Sequence, residues 1–414
     1  MNPKVLNVGL RGLTLVVRFA LIFILAFYLP PADVGLYGLV VATVSYSLYF
    51  VGFDFYTFST RDLLGRARSE WASLLFSQGA LFLALYLILL PLALFLFVFG
   101  FLPWWLAGWV LALIVSEHLA QEVSRLAIAM GRPLFASVMV FVRQGLWSII
   151  FIALMWRWPE YRSLEALVMF WCVGSALSVV FGGLLFRAVD WHRATLRLDL
   201  AWVKRGIAIA FPLLMATLAL RGIMTIDRYA FEALNGPELL GAYSLFMGMA
   251  GAVLAFMDAG VFAFLYPRMI NHYSKKDWHG FHAARSALRR HTLIWTGLLF
   301  LGGSMVGPWL FRLLPDEIYF NNWPLFVGLL AGMGIFVVGM IPHYGLYSMS
   351  QDKPIIKAHF FGLLVFLLSV VAIGNISPVW AVVIAFGLAS LAMGIFKQVS
   401  FVLVLRQPGM IGKG

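Results

Sequence analysis

Asn7, Arg11, Thr14 and Arg18 follow one another at spacings of four, three and four residues, which places them on one face of a helix. Thr217, Arg221, Thr225 and Arg228 stand four, four and three apart and share a face in the same way. Arg-x6-Arg therefore occurs in both sets. Each lies in a long apolar run, where an ionisable side chain costs roughly 2.5–3.5 kcal/mol on insertion scales. Such groups face protein or water, and the planar fork of arginine suits phosphate. Arg18 and Arg221, deeper in their runs, read as lining a central cationic cavity. Arg11 and Arg228 either join them or snorkel from the helix ends. Arg143, beside Gln144 and ahead of Ser148, is a further cavity candidate. Lys397, near the end of the last apolar run, reads as a snorkelling residue.

The acids are fewer. Glu117, Gln121 and Ser124 share one helix face, and His118, Glu122 and Arg125 the adjacent one. Glu122 and Arg125, three apart, also read as a self-neutralising pair. Asp54 and Asp258 sit toward the ends of their runs, where Arg61 and Arg268 offer partners, and Asp227 adjoins Arg228. Intramembrane acids are what proton or sodium coupling needs. Glu117 leads that group because no basic residue stands three or four positions from it; Glu122, Asp54 and Asp258 follow. Basic groups outnumber acids, so the expected cargo is anionic, carrying phosphate or pyrophosphate. Tyr46, Tyr49, Tyr56, Trp147, Tyr344 and Tyr347 offer stacking surfaces for sugar rings, though membrane aromatics more commonly form interfacial belts. No Gly-x4-Gly-Lys-Ser/Thr loop, metal-ligand spacing or nucleophile motif is present. Neither a cofactor, a metal nor a catalytic residue is expected.

The elements that must hold these residues follow from composition. The 414 residues are 62% hydrophobic and only 12% charged, with a mean hydropathy of +0.92. An ordinary soluble domain is roughly half apolar and a quarter charged. The fold class expected is an all-α polytopic membrane protein. About twelve spans of about 20 residues or more fit the sequence, near 10–29, 34–56, 72–99, 104–129, 134–156, 165–187, 206–230, 239–265, 291–312, 323–349, 355–375 and 379–405. The first reads as a retained helix rather than a cleaved leader, since Arg11 and Arg18 interrupt it. Cys172, the one cysteine, reads as a small core residue.

Basic residues cluster in alternate loops, with Arg61, Arg66 and Arg68 in one and Arg268, Lys275, Lys276, Arg285, Arg289 and Arg290 in another. This explains the net charge of +12 without nucleic acid, and places both termini in the cytoplasm. Residues 189–205 read as an amphipathic linker along the membrane surface, with Trp191 and Trp202 at the interface. The 274–290 stretch reads similarly. The linker separates two lobes of six spans, 1–188 and 206–414.

The two lobes repeat. LPPADVGLYG near the start is answered roughly 206 residues later by NGPELLGAYS. Pro31, Gly35 and Tyr37 match Pro237, Gly241 and Tyr243, and Asp54 matches Asp258 after a small gap. Arg132-Pro133 and Lys353-Pro354 form a second echo. Six spans per copy make the repeats parallel, which suits a two-lobed transporter.

The stretch LPPADVGLYGLVVATVSYSLYFVGFDFYTFSTRDL resembles the Wzx-type O-antigen flippases of the multidrug/oligosaccharidyl-lipid/polysaccharide exporter superfamily. In length and span number the resemblance covers the whole chain. It implies alternating-access movement of a polyprenyl (undecaprenyl) pyrophosphate-linked oligosaccharide from the cytoplasmic to the periplasmic leaflet of the bacterial inner membrane. The implied partners are that lipid-linked cargo, membrane lipids, a polysaccharide polymerase and a chain-length regulator. A membrane-embedded polymerase or ligase is the rival reading, disfavoured by short outer loops; an exporter of another anionic small molecule is a third.

Overall fold

The computed structural model describes residues 3–189, 191 and 197–406. Among these, eleven uninterrupted helical stretches are long and apolar enough to cross a bilayer. Helices are the element expected, because in lipid each backbone polar group must be satisfied within its own segment. The longest stretch, Leu200–Ser274, is two helices that meet at Gly236, whose φ of 82° and ψ of 172° break the helical path. Pro237 disfavours helical geometry at the residue before it, and glycine tolerates the positive φ. Counted as two, this stretch accounts for the dozen or so spans expected.

The helices are α1 Pro3–Tyr28, α2 Pro31–Gly52, the short α3 Tyr56–Leu64, α4 Trp71–Ala93 and α5 Ala107–Ala129. Then follow α6 Pro133–Arg157, α7 Leu164–Gly183, α8 (200–235) and α9 (237–274). The last four are α10 Trp278–Phe311, α11 Trp323–Ser348, α12 Asp352–Gly374 and α13 Pro378–Leu405. Two compact units result. One holds residues up to Leu29 together with Leu36–Met215; the other holds Pro30–Gly35 and the chain from Ala216 onward.

Four details differ from the sequence reading. Of the 189–205 linker, residues 190 and 192–196 lie outside the described residues, and Leu200 already opens α8. The Asp199 carboxylate accepts a hydrogen bond from the Trp202 backbone N–H at 2.8 Å, capping the first turn of α8. Trp202, expected at the interface, is only 2% exposed. Its indole lies against Phe55 and Phe58 and donates to Asp62 Oδ2 at 2.9 Å.

The 274–290 stretch is likewise no separate surface helix. From Trp278 onward it is the first part of α10, which runs 34 residues without a break. At about 1.5 Å per residue α10 is about 51 Å long, well beyond the roughly 30 Å hydrocarbon core. The Asp277 side chain caps its start by accepting from Gly280 N–H at 2.9 Å. Lys397, expected to snorkel, is 2% exposed.

Candidate functional site

In the first unit the polar face of α1 lies along α6. Arg11 Nε donates to Ser137 Oγ at 3.0 Å, and Ser137 Oγ in turn donates to Asn7 Oδ1. Two turns further on, Arg18 Nη1 donates to Gln144 Oε1 at 3.3 Å. The two contacts keep one sequence offset, 126 residues, so the arginine period of α1 meets a matching serine–glutamine period on α6. Thr14, on the same face, is buried and donates to its own helix at Leu10 O, 2.8 Å away. Arg11 and Arg18 remain exposed. Their partners are neutral, so both positive charges stay uncompensated by these bonds.

Arg143 has a different setting. It lies on a π-turn, Val142–Leu146, inserted into α6. Such insertions recur at functional positions. Its guanidinium is buried, with Nε 3.6 Å from Glu117 Oε2 and Nη1 3.4 Å from the Glu117 backbone oxygen. Glu117 Oε1 accepts from Trp171 Nε1 at 2.9 Å and Ser175 Oγ at 2.7 Å. The Trp147 indole donates to Arg143 O at 2.8 Å and stacks on Trp171. Glu117 thus has its basic partner after all, supplied by a neighbouring helix. The pair is enclosed within α5, α6 and α7.

Glu122 pairs with Arg125 and also accepts from Gln78 Nε2 at 3.1 Å. The Arg125 guanidinium lies 3.5 Å from the centroid of the Tyr56 ring, a close cation–π contact. Glu122, Arg125 and Gln78 border a cleft of about 150 Å³ that Phe82, Leu126, Phe186 and Trp191 also line. Asp54 is buried, and its charge reaches Glu122 and Tyr56. It sits with Phe53 at a left-handed break between α2 and α3, with φ of 47° and 53°.

Sequence reasoning gave His118 no role of its own. It is fully buried, with Nδ1 2.5 Å from Tyr86 Oη, and its Nε2 faces Gly52, where a β-carbon would come within 2.8 Å.

In the second unit Arg228 is half-buried and tied to its neighbour. Its Nη1 lies 3.1 Å from Asp227 Oδ1 and donates to Met224 O at 2.6 Å. Asp227 is fully buried and also accepts from Tyr243 Oη at 2.8 Å. Arg221 is exposed. It is the basic residue whose charge reaches Asp258, in place of Arg268. Asp258 opens a second π-turn, Asp258–Phe262, whereas its repeat partner Asp54 stands at a helix break. The two arginine faces, alike in spacing, therefore differ in electrostatics. Arg18 is held by an amide, while Arg221 lies near a carboxylate and Arg228 pairs with one.

The helices also gather three basic side chains that the sequence reading did not combine, His343, His359 and Lys397. Their only sequence signal was an ionisable residue within each of α11, α12 and α13. Among the described residues no group of three His, Cys, Asp or Glu side chains has the arrangement to hold a metal.

No family model and no curated protein matches this sequence. Solved structures do match. An inward-facing multidrug resistance MATE family transporter of the MOP superfamily superimposes with a TM-score of 0.78 at 10% identity, over 95% of this chain and 96% of that one. An outward-facing MATE transporter gives 0.62 at 11% identity, over 98% and 95%. The lipid II flippase MurJ, in an inward closed conformation, gives 0.75 at 9% identity, over 96% and 87%.

The chain has the fold that these MATE and MurJ structures share. It is a multi-pass membrane protein, and the all-helical architecture read from its sequence is the one these structures share.

Proposed function

We propose that the protein is a flippase. It moves a polyprenyl (undecaprenyl) pyrophosphate-linked oligosaccharide unit from the cytoplasmic to the periplasmic leaflet by alternating access, supplying O-antigen or another surface polysaccharide. Its setting is the bacterial inner membrane, with both termini cytoplasmic, as the alternation of basic loops implies. The observation that carries this reading is Arg18. It is exposed midway along a membrane helix and bonded there to the neutral amide of Gln144 at 3.3 Å. A guanidinium in that position calls for an anion, and a pyrophosphate matches its fork. Arg221 and Arg11, also exposed, extend the same preference. A structural neighbour is titled a lipid II flippase, which makes lipid-linked cargo compatible with this fold.

An ion gradient drives the cycle in this reading. Glu117 and Glu122 are each paired with an arginine. Asp258, on its π-turn and within reach of Arg221, is the acid we assign to coupling. Protonation there would change the charge beside a cargo-binding arginine.

The multidrug titles of the MATE neighbours raise a second reading, export of cationic drugs, which the exposed guanidinium groups of Arg11 and Arg18, bonded only to neutral partners, oppose. Proteoliposomes carrying a defined lipid-linked oligosaccharide separate the two. Wild type is expected to translocate it, Arg18→Gln and Arg221→Gln to slow translocation at least tenfold, and cationic dyes to be left unmoved. Full translocation by the Arg18→Gln/Arg221→Gln double variant would sink the cationic-site reading. Dye export without lipid translocation would establish the drug exporter instead.

A further inference from the structure

Lys397 is the most deeply buried cation in the second unit among the described residues, at 2% exposure. Helix register explains what surrounds it. α12 and α13 run antiparallel, and a β-carbon at Gly362 of α12 would come within 2.3 Å of Met393 of α13. One turn onward along α13 is Lys397; one turn back along α12 is His359. On the other flank α11 runs parallel to α13. Gly339 meets Gly394, and Gly345 meets Phe401, each within 3.5 Å of an added β-carbon. His343 lies between those two contacts on α11, as Lys397 does on α13. The lysine is bracketed by two imidazoles.

The imidazole rings of His343 and His359 are 6.2 Å apart and nearly parallel. His359 is 6% exposed, and its Nδ1 pairs with Ala216 O at 3.2 Å. Its Nε2 and the Nδ1 of His343 are buried with no partner in the structure. The other charges nearby are Arg221, which reaches His359, and Asp258, which reaches Arg221 and Tyr344. Among the described residues no carboxylate forms an ion pair with Lys397, and its charge reaches both imidazoles.

The first unit shows what is missing. Its corresponding helices α5, α6 and α7 also bury a cation, Arg143, and they supply Glu117 to neutralise it. In α11, α12 and α13 the acid's place is taken by more bases. A buried cation is kept paired or is neutralised, because an unpaired one in a dry interior is costly.

We propose that Lys397, His343 and His359 form a binding site for one small monovalent anion of the halide class, which stands to Lys397 as Glu117 stands to Arg143. The Lys397 ammonium supplies the charge, and the Nδ1–H of His343 donates to the anion. His359, its Nδ1–H committed to Ala216 O, uses Nε2 to accept from the ammonium and hold it in place. The site lies inside one unit and does not depend on what cargo the protein moves.

The test uses the full chain in nanodiscs, in gluconate at constant ionic strength, titrated with chloride and separately with bromide. The expected result is a saturable rise of several degrees in the unfolding midpoint with either halide, absent in Lys397→Met. Should Lys397→Met not fold, His343→Phe serves instead, with an expected loss of tenfold or more in apparent halide affinity. A wild-type midpoint indifferent to halide overturns the proposal. So does an undiminished halide response in either variant. Proton release on transfer to the bilayer interior without any halide effect would also overturn it, since the lysine would then be neutral on its own.

Discussion

A β-carbon placed on Gly241 would stand 2.1 Å from the carbonyl oxygen of Pro31, and one on Gly35 would stand 2.8 Å from that of Pro237. The repeat motif thus packs against its own copy, glycine of each against the proline of the other. Backbones that meet this closely exclude any side chain, which is how small residues act at helix contacts in membranes. Gly241→Ala is expected to destabilise by about 1–3 kcal/mol, as overpacking of a filled core does. Gly35→Ala should cost less, because its nearest contact is longer. Unfolding midpoints of the two variants in the same detergent check both the loss and the order.

The Glu117–Arg143 pair leads to a second expectation. Glu117→Gln retains an oxygen for Trp171 and Ser175 but leaves Arg143 charged, buried and unpaired. Breaking a buried pair from one side costs about 3–5 kcal/mol. The double variant Glu117→Gln/Arg143→Met should recover most of that loss, since the uncompensated charge is gone. A double-variant midpoint as low as that of Glu117→Gln alone would show that the hydrogen bonds, and not the charge balance, hold α5 to α6 and α7. If Glu117 were instead a coupling acid, the single variant would fold normally and lose only gradient dependence.

What could be read from the sequence was whatever repeats along one helix. Apolar runs of membrane length, the Pro31/Gly35/Tyr37 echo and the face shared by Arg11, Thr14 and Arg18 are all local patterns. What could not be read was set by register between helices. Gln144 lies 126 residues from Arg18, and nothing in either helix alone brings them level. The burial of Lys397 depends on the approach of Gly394 to Gly339 and of Met393 to Gly362, contacts that close-packing decides. Trp202 was misplaced for a related reason. An interfacial tryptophan and one donating to a carboxylate from inside a core look identical in sequence, and here Asp62 and Phe55 make the difference.

On the proposed function, variants in the α1–α6 seam should separate structure from transport. Ser137→Ala removes the hydroxyl that links Arg11 and Asn7, at an expected cost of about 0.5–1.5 kcal/mol, that of an ordinary hydrogen bond. It leaves both arginines in place. The variant should therefore lose a few degrees of thermal stability while translocating lipid-linked cargo at a near wild-type rate. Gln144→Leu, by contrast, frees Arg18 from its only hydrogen bond among the described residues and should shift apparent cargo affinity with little change in midpoint. Equal effects of the two variants on affinity would argue that the seam acts as one unit.

The start of α10 should be sensitive to acid. The Gly280 backbone N–H and His272 hold the Asp277 carboxyl below its ordinary value, with His272 Nδ1 2.7 Å from Asp277 Oδ2. A carboxyl whose proton affinity is lowered on folding stabilises the cap above its unfolded value, near 3.9. That support is lost as pH falls through the lower folded value. Hydrogen exchange at Gly280 and Phe281, corrected for intrinsic rates, should stay slow down to about pH 4 and quicken below it. Asp277→Ala should exchange fast at every pH, whereas Asp277→Asn, which keeps a capping oxygen, should be slow and lose the acid transition. Acid-induced exchange surviving unchanged in Asp277→Asn would assign the transition to another group.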